Sequence, residues 1–215
     1  SKWRTPPPTP PPSRMVDAFL MSAVARCTLA EAAENFLDGF HTHFVHAGRI
    51  RRDGPRQRVR ASVRALPDGV EARYEDEKRQ SGLISRLLES DRSESYGRFR
   101  LPGLAEIEYR GRDGLSLLVT AWMTPEDDAT LRIHARVATR KGRAPAWLKR
   151  WLLRRLFAVI LRQDKDMLEG VRANARRFEQ LGMAAPIWTA PWTCWPRPSA
   201  CCWLEKRSRR RLKKR

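Results

Sequence analysis

The stretch that decides the fold runs from Leu115 to Gly170: LSLLVTAWMTPEDDATLRIHARVATRKGRAPAWLKRWLLRRLFAVILRQDKDMLEG. It opens with two extended runs, LSLLVTAWMTP and TLRIHARVATR, separated by PEDD. Neighbouring runs joined by a short turn pair antiparallel. After GRAP the pattern becomes helical, from about residue 146 to 180, and Pro145 suits a helix start. Leu148, Leu152, Leu156 and Ile160 recur every four residues, with Phe157 beside them, and the stripe continues to Asp164 and Leu168.

Upstream, more extended runs appear. QRVRASVRAL alternates, with Val59, Ala61 and Val63 expected in a core and Arg58, Arg60, Ser62 and Arg64 in water. After the LPDG turn come GVEARYED, SYGRFRL and AEIEYRG, the later breaks being PG and GRDG. Residues 80–92, QSGLISRLLESDR, read as a short helix or an inserted lid. The expected architecture is α+β: about six antiparallel strands, then a long C-terminal helix packed across them.

The ends differ from this middle. Residues 1–27 read as an irregular lead, proline-rich over SKWRTPPPTPPPSR. Residues 183–215 read as an irregular tail. Its first part, MAAPIWTAPWTCWPRPSACCW, has four Trp and three Cys and no helical or strand period. It reads equally as a partner-binding segment or as the product of a shifted reading frame. The last ten residues, KRSRRRLKKR, hold eight basic side chains and no acid within a chain of net charge +19. Such a run attracts nucleic acid or anionic lipid, but without interleaved aromatics or an upstream motif a solvated tail is the plainer reading. No apolar run reaches the roughly 18 residues of a membrane span, and a cytoplasmic location is expected. Cys27, Cys194, Cys201 and Cys202 lack zinc-finger spacing and read as free thiols.

Three of the four histidines fall within ENFLDGFHTHFVHAG, residues 34–48. The surrounding TLAEAAENFLDGFHTHFVH, residues 28–46, reads as a helix ended at Gly48, with Thr28 as cap and Glu31 as its capping-box partner. Asp38 and His41 would share a face, so that the carboxylate accepts from the imidazole. His46 lies about 140° further round an ideal helix, so His41 and His46 meet at one metal only if the helix distorts or ends between them. Phe36, Leu37, Phe40, Phe44 and Val45 make the surroundings apolar. On the long helix, Asp164 points where its neighbours are buried and needs a cation. Two readings stand: a salt bridge to an arginine, or a third ligand beside His41 and His46. Two imidazoles and a carboxylate on one side of a metal suit Fe(II), and zinc uses the same donors.

The pattern E-N-F-L-D-x-x-H-x4-H from Glu34 to His46, with Asp164 in RQDKDMLEG, resembles the iron site of Rieske-type ring-hydroxylating oxygenases. The likeness is to the catalytic domain of the alpha subunit, over about residues 30–181. It implies a helix-grip fold of the START and Bet v 1 type, an antiparallel sheet wrapped against a long C-terminal helix around an apolar pocket. It implies Fe(II) on His41, His46 and Asp164, with Asp38 orienting His41 and aiding electron arrival, and Asn35 a polar residue near the iron. Phe40, His43, Phe44 and Trp122 are candidates for the pocket wall, His43 equally for an exposed position. The implied domain is residues 28–182.

The resemblance implies Fe(II)- and O2-dependent hydroxylation or O-demethylation of an aromatic or other apolar substrate, with electrons from a Rieske cluster and reductase on partner proteins. It also implies a homotrimer, since such alpha subunits are commonly trimers. The family's cluster-binding C-x-H and C-x-x-H pairs do not occur here. The chain therefore reads as a catalytic domain alone that binds no [2Fe–2S] cluster itself. Competing readings are a helix-grip module holding an apolar ligand without catalysis, an inactive fragment, and a basic nucleic-acid or membrane-surface binder using the tail and LKRWLLRR.

Overall fold

A computed structural model describes residues 8, 15–39, 41–46, 59–75, 92–111, 114–141 and 145–183. Seven strands form one antiparallel sheet: β1 (Met15–Ala25), β2 (Arg60–Leu66), β3 (Gly69–Glu75), β4 (Arg92–Arg100), β5 (Leu104–Gly111), β6 (Gly114–Pro125) and β7 (Leu131–Arg140). Their order across the sheet is β1-β7-β6-β5-β4-β3-β2. β2 to β7 follow one another as a meander. β1 returns to the far edge beside β7, and helix α1 (Leu29–Leu37) carries the chain away from it. Helix α2 (Ala146–Gln180) lies against β1 and α1. This is the helix-grip arrangement.

The six strands read from the sequence are β2 to β7, and the seventh corrects the boundary drawn at residue 27. β1, Met15–Ala25, lies within the supposed irregular lead. Its inward row is Phe19, Met21, Ala23 and Ala25, but Ala18, Leu20 and Val24 on the other row are also apolar, which blurs the alternation. Its partner is more than a hundred residues away, Phe19 pairing with Val137, so no local turn announces it. β2 corrects a second expectation. It is an edge strand exposed on both faces over Arg60–Ala65, and Val63 faces solvent with the arginines. The segment 80–91, and Cys194, Cys201 and Cys202 with the tail, lie outside the described residues; Cys27 is a buried free thiol.

α2 begins at its sequence signal and ends at the expected residue. Pro145 is its N-cap. At the other end Gly182 adopts φ +68°, Met183 N–H donates to the Phe178 carbonyl at 2.9 Å and Gly182 N–H to the Glu179 carbonyl at 3.0 Å. That left-handed residue closes the helix in a Schellman motif. The phase of its buried stripe differs from the four-residue reading. Leu153, Ile160 and Leu168 are buried, whereas Leu148 and Leu152 are exposed. Each four-residue step overshoots a full turn by about 40°, so a strict i+4 row drifts off the contact face within a few steps. Asp164 stays on the inner side, because it lies one turn from both Ile160 and Leu168.

The sheet's inner face and α2 enclose the core. Ala121 and Ala135 face each other across β6 and β7, and Ala135 faces Met21 of β1. These short side chains leave a cavity of about 150 Å³ between sheet and helix. Its walls are largely apolar, with Val119, Val137, Phe157 and Ile160 prominent. On the opposite sheet face, Arg98 bridges Glu71 and Glu108 at 2.6 Å each, so these largely buried carboxylates are paired.

Candidate metal centre

The centre is built where α1 ends. Thr28 Oγ1 accepts from Glu31 N–H at 3.2 Å, and Glu31 Oε2 accepts from Thr28 N–H at 2.7 Å, forming the expected capping box. Arg172 of α2 reaches Glu31 at 3.3 Å and ties this end of α1 to the long helix. The helix stops at Leu37, nine residues before His46, and so corrects the single helix expected over 28–46. The buried Tyr74 hydroxyl of β3 donates to the Leu37 carbonyl at 2.8 Å and accepts from Gly39 N–H at 3.2 Å. A Cβ on Gly39 would stand only 3.2 Å from Tyr74 Cζ, so glycine permits the close approach. The chain then turns through a 3-10 segment, His41–His43, closed by Phe44 N–H donating to the His41 carbonyl at 3.0 Å. Ending the helix before His41 removes the 140° separation that an ideal helix would impose.

His41, His46 and Asp164 come together at one end of the cavity, and their candidate ligand atoms lie within 4.8 Å of one another. Asp164 Oδ1 is 3.1 Å from His46 Nε2 and 3.5 Å from His41 Nε2. The imidazole rings are nearly perpendicular, at 77°. Each Nδ1 is held from behind. His41 Nδ1 is hydrogen-bonded to the Asp38 main-chain carbonyl, and His46 Nδ1 lies 3.1 Å from Gln163 Oε1. Both rings therefore turn Nε2 toward the carboxylate.

Burial works to raise the Asp164 carboxyl, but the two adjacent imidazoles more than offset it and hold it at about 2. Burial works to lower the His41 pKa, and the negative charge of the adjacent Asp164, aided by Asp38, outweighs it, so the pKa is raised. The site is an anionic pole facing two imidazoles. Its donor set fits a divalent metal. Asp164 Oδ1 is buried, and neither imidazole is aligned to hydrogen-bond to it. Metal–ligand bonds of about 2.1 Å place neighbouring ligand atoms about 3.0 Å apart at a right angle and about 3.4 Å apart at a tetrahedral angle, close to the two observed separations.

Over residues 25–185 the sequence matches the family model described as vanillate O-demethylase oxygenase C-terminal domain. The chain belongs to this family. It is the C-terminal catalytic domain type of Rieske oxygenase alpha subunits. Among curated proteins, no relative matches. Solved structures share the fold. Dicamba monooxygenase bound to dicamba is 13% identical at a TM-score of 0.68, the match covering 94% of this chain and 61% of that one. NdmA of Pseudomonas putida CBB5 with caffeine is 15% identical at 0.56, covering 74% and 44%. The quaternary ammonium Rieske monooxygenase CntA, in complex with an inhibitor, is 13% identical at 0.50, covering 74% and 39%. This chain spans less than two thirds of each of these proteins.

Within this vanillate-demethylase-type domain, the residues singled out in the sequence separate into three groups. His41, His46 and Asp164 converge, which answers the open reading of Asp164: among the described residues its neighbours are the two histidines. Asp166 is exposed, as its helical position requires. Asn35 lines the cavity, its Oδ1 buried and without a hydrogen-bond partner among the described residues. Asp38 holds His41 through its main-chain carbonyl, correcting the expected carboxylate contact, because Asp38 is the C-cap of α1. Phe44 and Trp122 are not cavity walls. Phe44 is 82% exposed. Trp122 belongs to the β6 row that includes Leu118 and Thr120, opposite the inward Val119, Ala121 and Met123. Phe40 and the side chain of His43 lie outside the described residues. Gln163 and Tyr74 went unnoticed in the sequence. Gln163 had only its place beside Asp164 to recommend it, and Tyr74 had none.

Proposed function

We propose that this chain is the catalytic domain of an Fe(II)- and O2-dependent oxygenase that hydroxylates or O-demethylates an aromatic or other apolar substrate. The observation that carries the reading is the convergence of His41, His46 and Asp164 at the end of an otherwise apolar cavity. Those three side chains would hold the iron on one face and leave its other positions open to dioxygen, with substrate alongside. Bound iron supplies the redox chemistry of dioxygen. The balanced reaction takes one O2, two electrons and two protons, puts one oxygen atom into a substrate C–H bond and releases the other as water. On a methyl ether the same insertion into the methyl group leads to loss of formaldehyde.

The chain's own groups bind, orient and exclude water. The apolar walls around Val119, Val137 and Phe157 favour a compact ring. Asn35 Oδ1 offers an acceptor to a donor on the substrate. The two Nδ1 contacts keep both Nε2 atoms directed inward. Electrons would come from a Rieske cluster and reductase on partner proteins, delivered near Asp38 in a trimer, in the cytoplasm. No described helix is long and apolar enough to cross a membrane. The dicamba and caffeine held by solved structures of this fold support a small cyclic substrate. A helix-grip module that merely stores an apolar ligand would have no use for three converging ligands.

The test is the metal content and Fe(II) affinity of the anaerobically reconstituted protein, beside His41→Ala and Asp164→Ala. About one iron per chain, lost in both variants, is the expected result. Weak binding indifferent to Asp164 would overturn the reading.

A further inference from the structure

We propose that Gln163 is a positioning residue of the metal centre, fixing the tautomer and ring angle of His46. The inference rests on the metal-site reading above and deepens it at one of its contacts. His46 is 1% exposed, so its Nδ1 has no recourse to water. Gln163 Oε1 stands 3.1 Å away, across 117 positions of sequence. A glutamine oxygen only accepts, so this orientation requires the proton on Nδ1 and leaves the Nε2 lone pair free. With the amide turned over, its NH2 would face Nδ1 and force the proton onto Nε2, where a ligand must be bare. The ligating tautomer and the Oε1 contact therefore select each other.

The two histidines are held by different means. His41 Nδ1 is held by the main-chain carbonyl of Asp38, which no side-chain substitution removes. His46 depends on a side chain. That side chain is adjacent to Asp164 in α2, so consecutive residues of one helix address the two nitrogens of one ring: Gln163 at Nδ1 and Asp164 at Nε2. A displacement of α2 moves ligand and tether together, and His46 follows the carboxylate. The tether is also neutral. Two imidazoles, one carboxylate and a divalent ion leave one net positive charge at the centre. A carboxylate at position 163 would pull on the Nδ1 proton, make the imidazole a stronger donor and favour a ferric over a ferrous ion.

The experiment uses the full chain, anaerobically, with Co(II) as the affinity probe and Fe for the potential. Gln163→Met keeps length and packing but removes the acceptor, and Gln163→Glu keeps the acceptor and adds charge. Gln163→Met is expected to weaken Co(II) binding about 10- to 100-fold and to alter the visible Co(II) spectrum. Gln163→Glu is expected to restore the affinity and lower the Fe(III)/Fe(II) potential relative to wild type. Thermal unfolding of the metal-free proteins shows whether each variant folds, and Gln163→Ala replaces Gln163→Met if that variant does not. Wild-type affinity and spectrum in Gln163→Met, or equal losses in Gln163→Met and Gln163→Glu, would overturn the proposal while leaving the metal site standing. A wild-type protein whose Co(II) binding ignores His41→Ala and Asp164→Ala would overturn the metal-site reading itself, and this proposal with it.

Discussion

Replacing Tyr74 by phenylalanine should loosen the metal centre without touching it. The hydroxyl makes two contacts at the end of α1, donating to the Leu37 carbonyl at 2.8 Å and accepting from Gly39 N–H at 3.2 Å. Tyr74 is 5% exposed, so water does not readily take the hydroxyl's place. Each lost hydrogen bond is worth about 1 kcal/mol, and each main-chain group left unsatisfied adds part of a desolvation cost, giving about 2–3 kcal/mol in all. For a protein of this size that is a fall in Tm of roughly 4–12 °C. The damage is concentrated where the chain leaves α1 to present His41, so Co(II) affinity should fall several-fold as well. Urea unfolding of the metal-free protein and a Co(II) titration measure the two effects. A stability change below about 0.5 kcal/mol, within the range of an ordinary surface substitution, with unchanged Co(II) affinity, would refute the argument that this hydroxyl ends the helix.

Asp164→Asn should cost the metal-free protein about 2 kcal/mol, because the carboxyl sits at about 2 in the fold against an ordinary 3.8. A depressed carboxyl stabilises above its unfolded value and loses that contribution as pH falls through its folded value. The raised His41 stabilises fully below 6.5 and loses its share as pH rises through its higher folded value. The deficit of Asp164→Asn in urea midpoint should therefore be largest between pH 4 and 6.5 and shrink toward pH 2. For the same reason, Co(II) affinity of the wild type should begin to fall at a higher pH than an ordinary histidine would dictate, as protons compete for His41. Ala135→Leu should fill the cavity and abolish binding of an apolar fluorescent probe while leaving Co(II) affinity intact. Trp122→Ala, on the other face of β6, should leave probe binding unchanged, and a loss there would show that the wall is misassigned.

Much of this protein is written in local chemistry. Turn residues and alternation mark β2 to β7, Pro145 starts α2, and Thr28 with Glu31 caps α1, because each signal acts within a few residues of its effect. The ligands are also legible. Two histidines at a fixed spacing, and an aspartate on a buried stripe, are costly unless they share a cation, and the resemblance to Rieske oxygenases joins them into one site. Tertiary structure decided the rest. β1 exists because β7 offers it an edge, and its own alternation is blurred by apolar residues on both rows. β2 lost its expected buried face because it is an edge strand that, among the described residues, nothing covers. Helix drift set which leucines of α2 are buried. The end of α1, and with it the meeting of His41 with His46, depends on Tyr74, 35 residues beyond Gly39. The tautomer of His46 depends on Gln163, whose relevance appears only when α2 crosses the sheet. Sequence specifies which groups are present and the local turns they favour. Which of them share one buried space is decided by long-range packing, which has no local period to read.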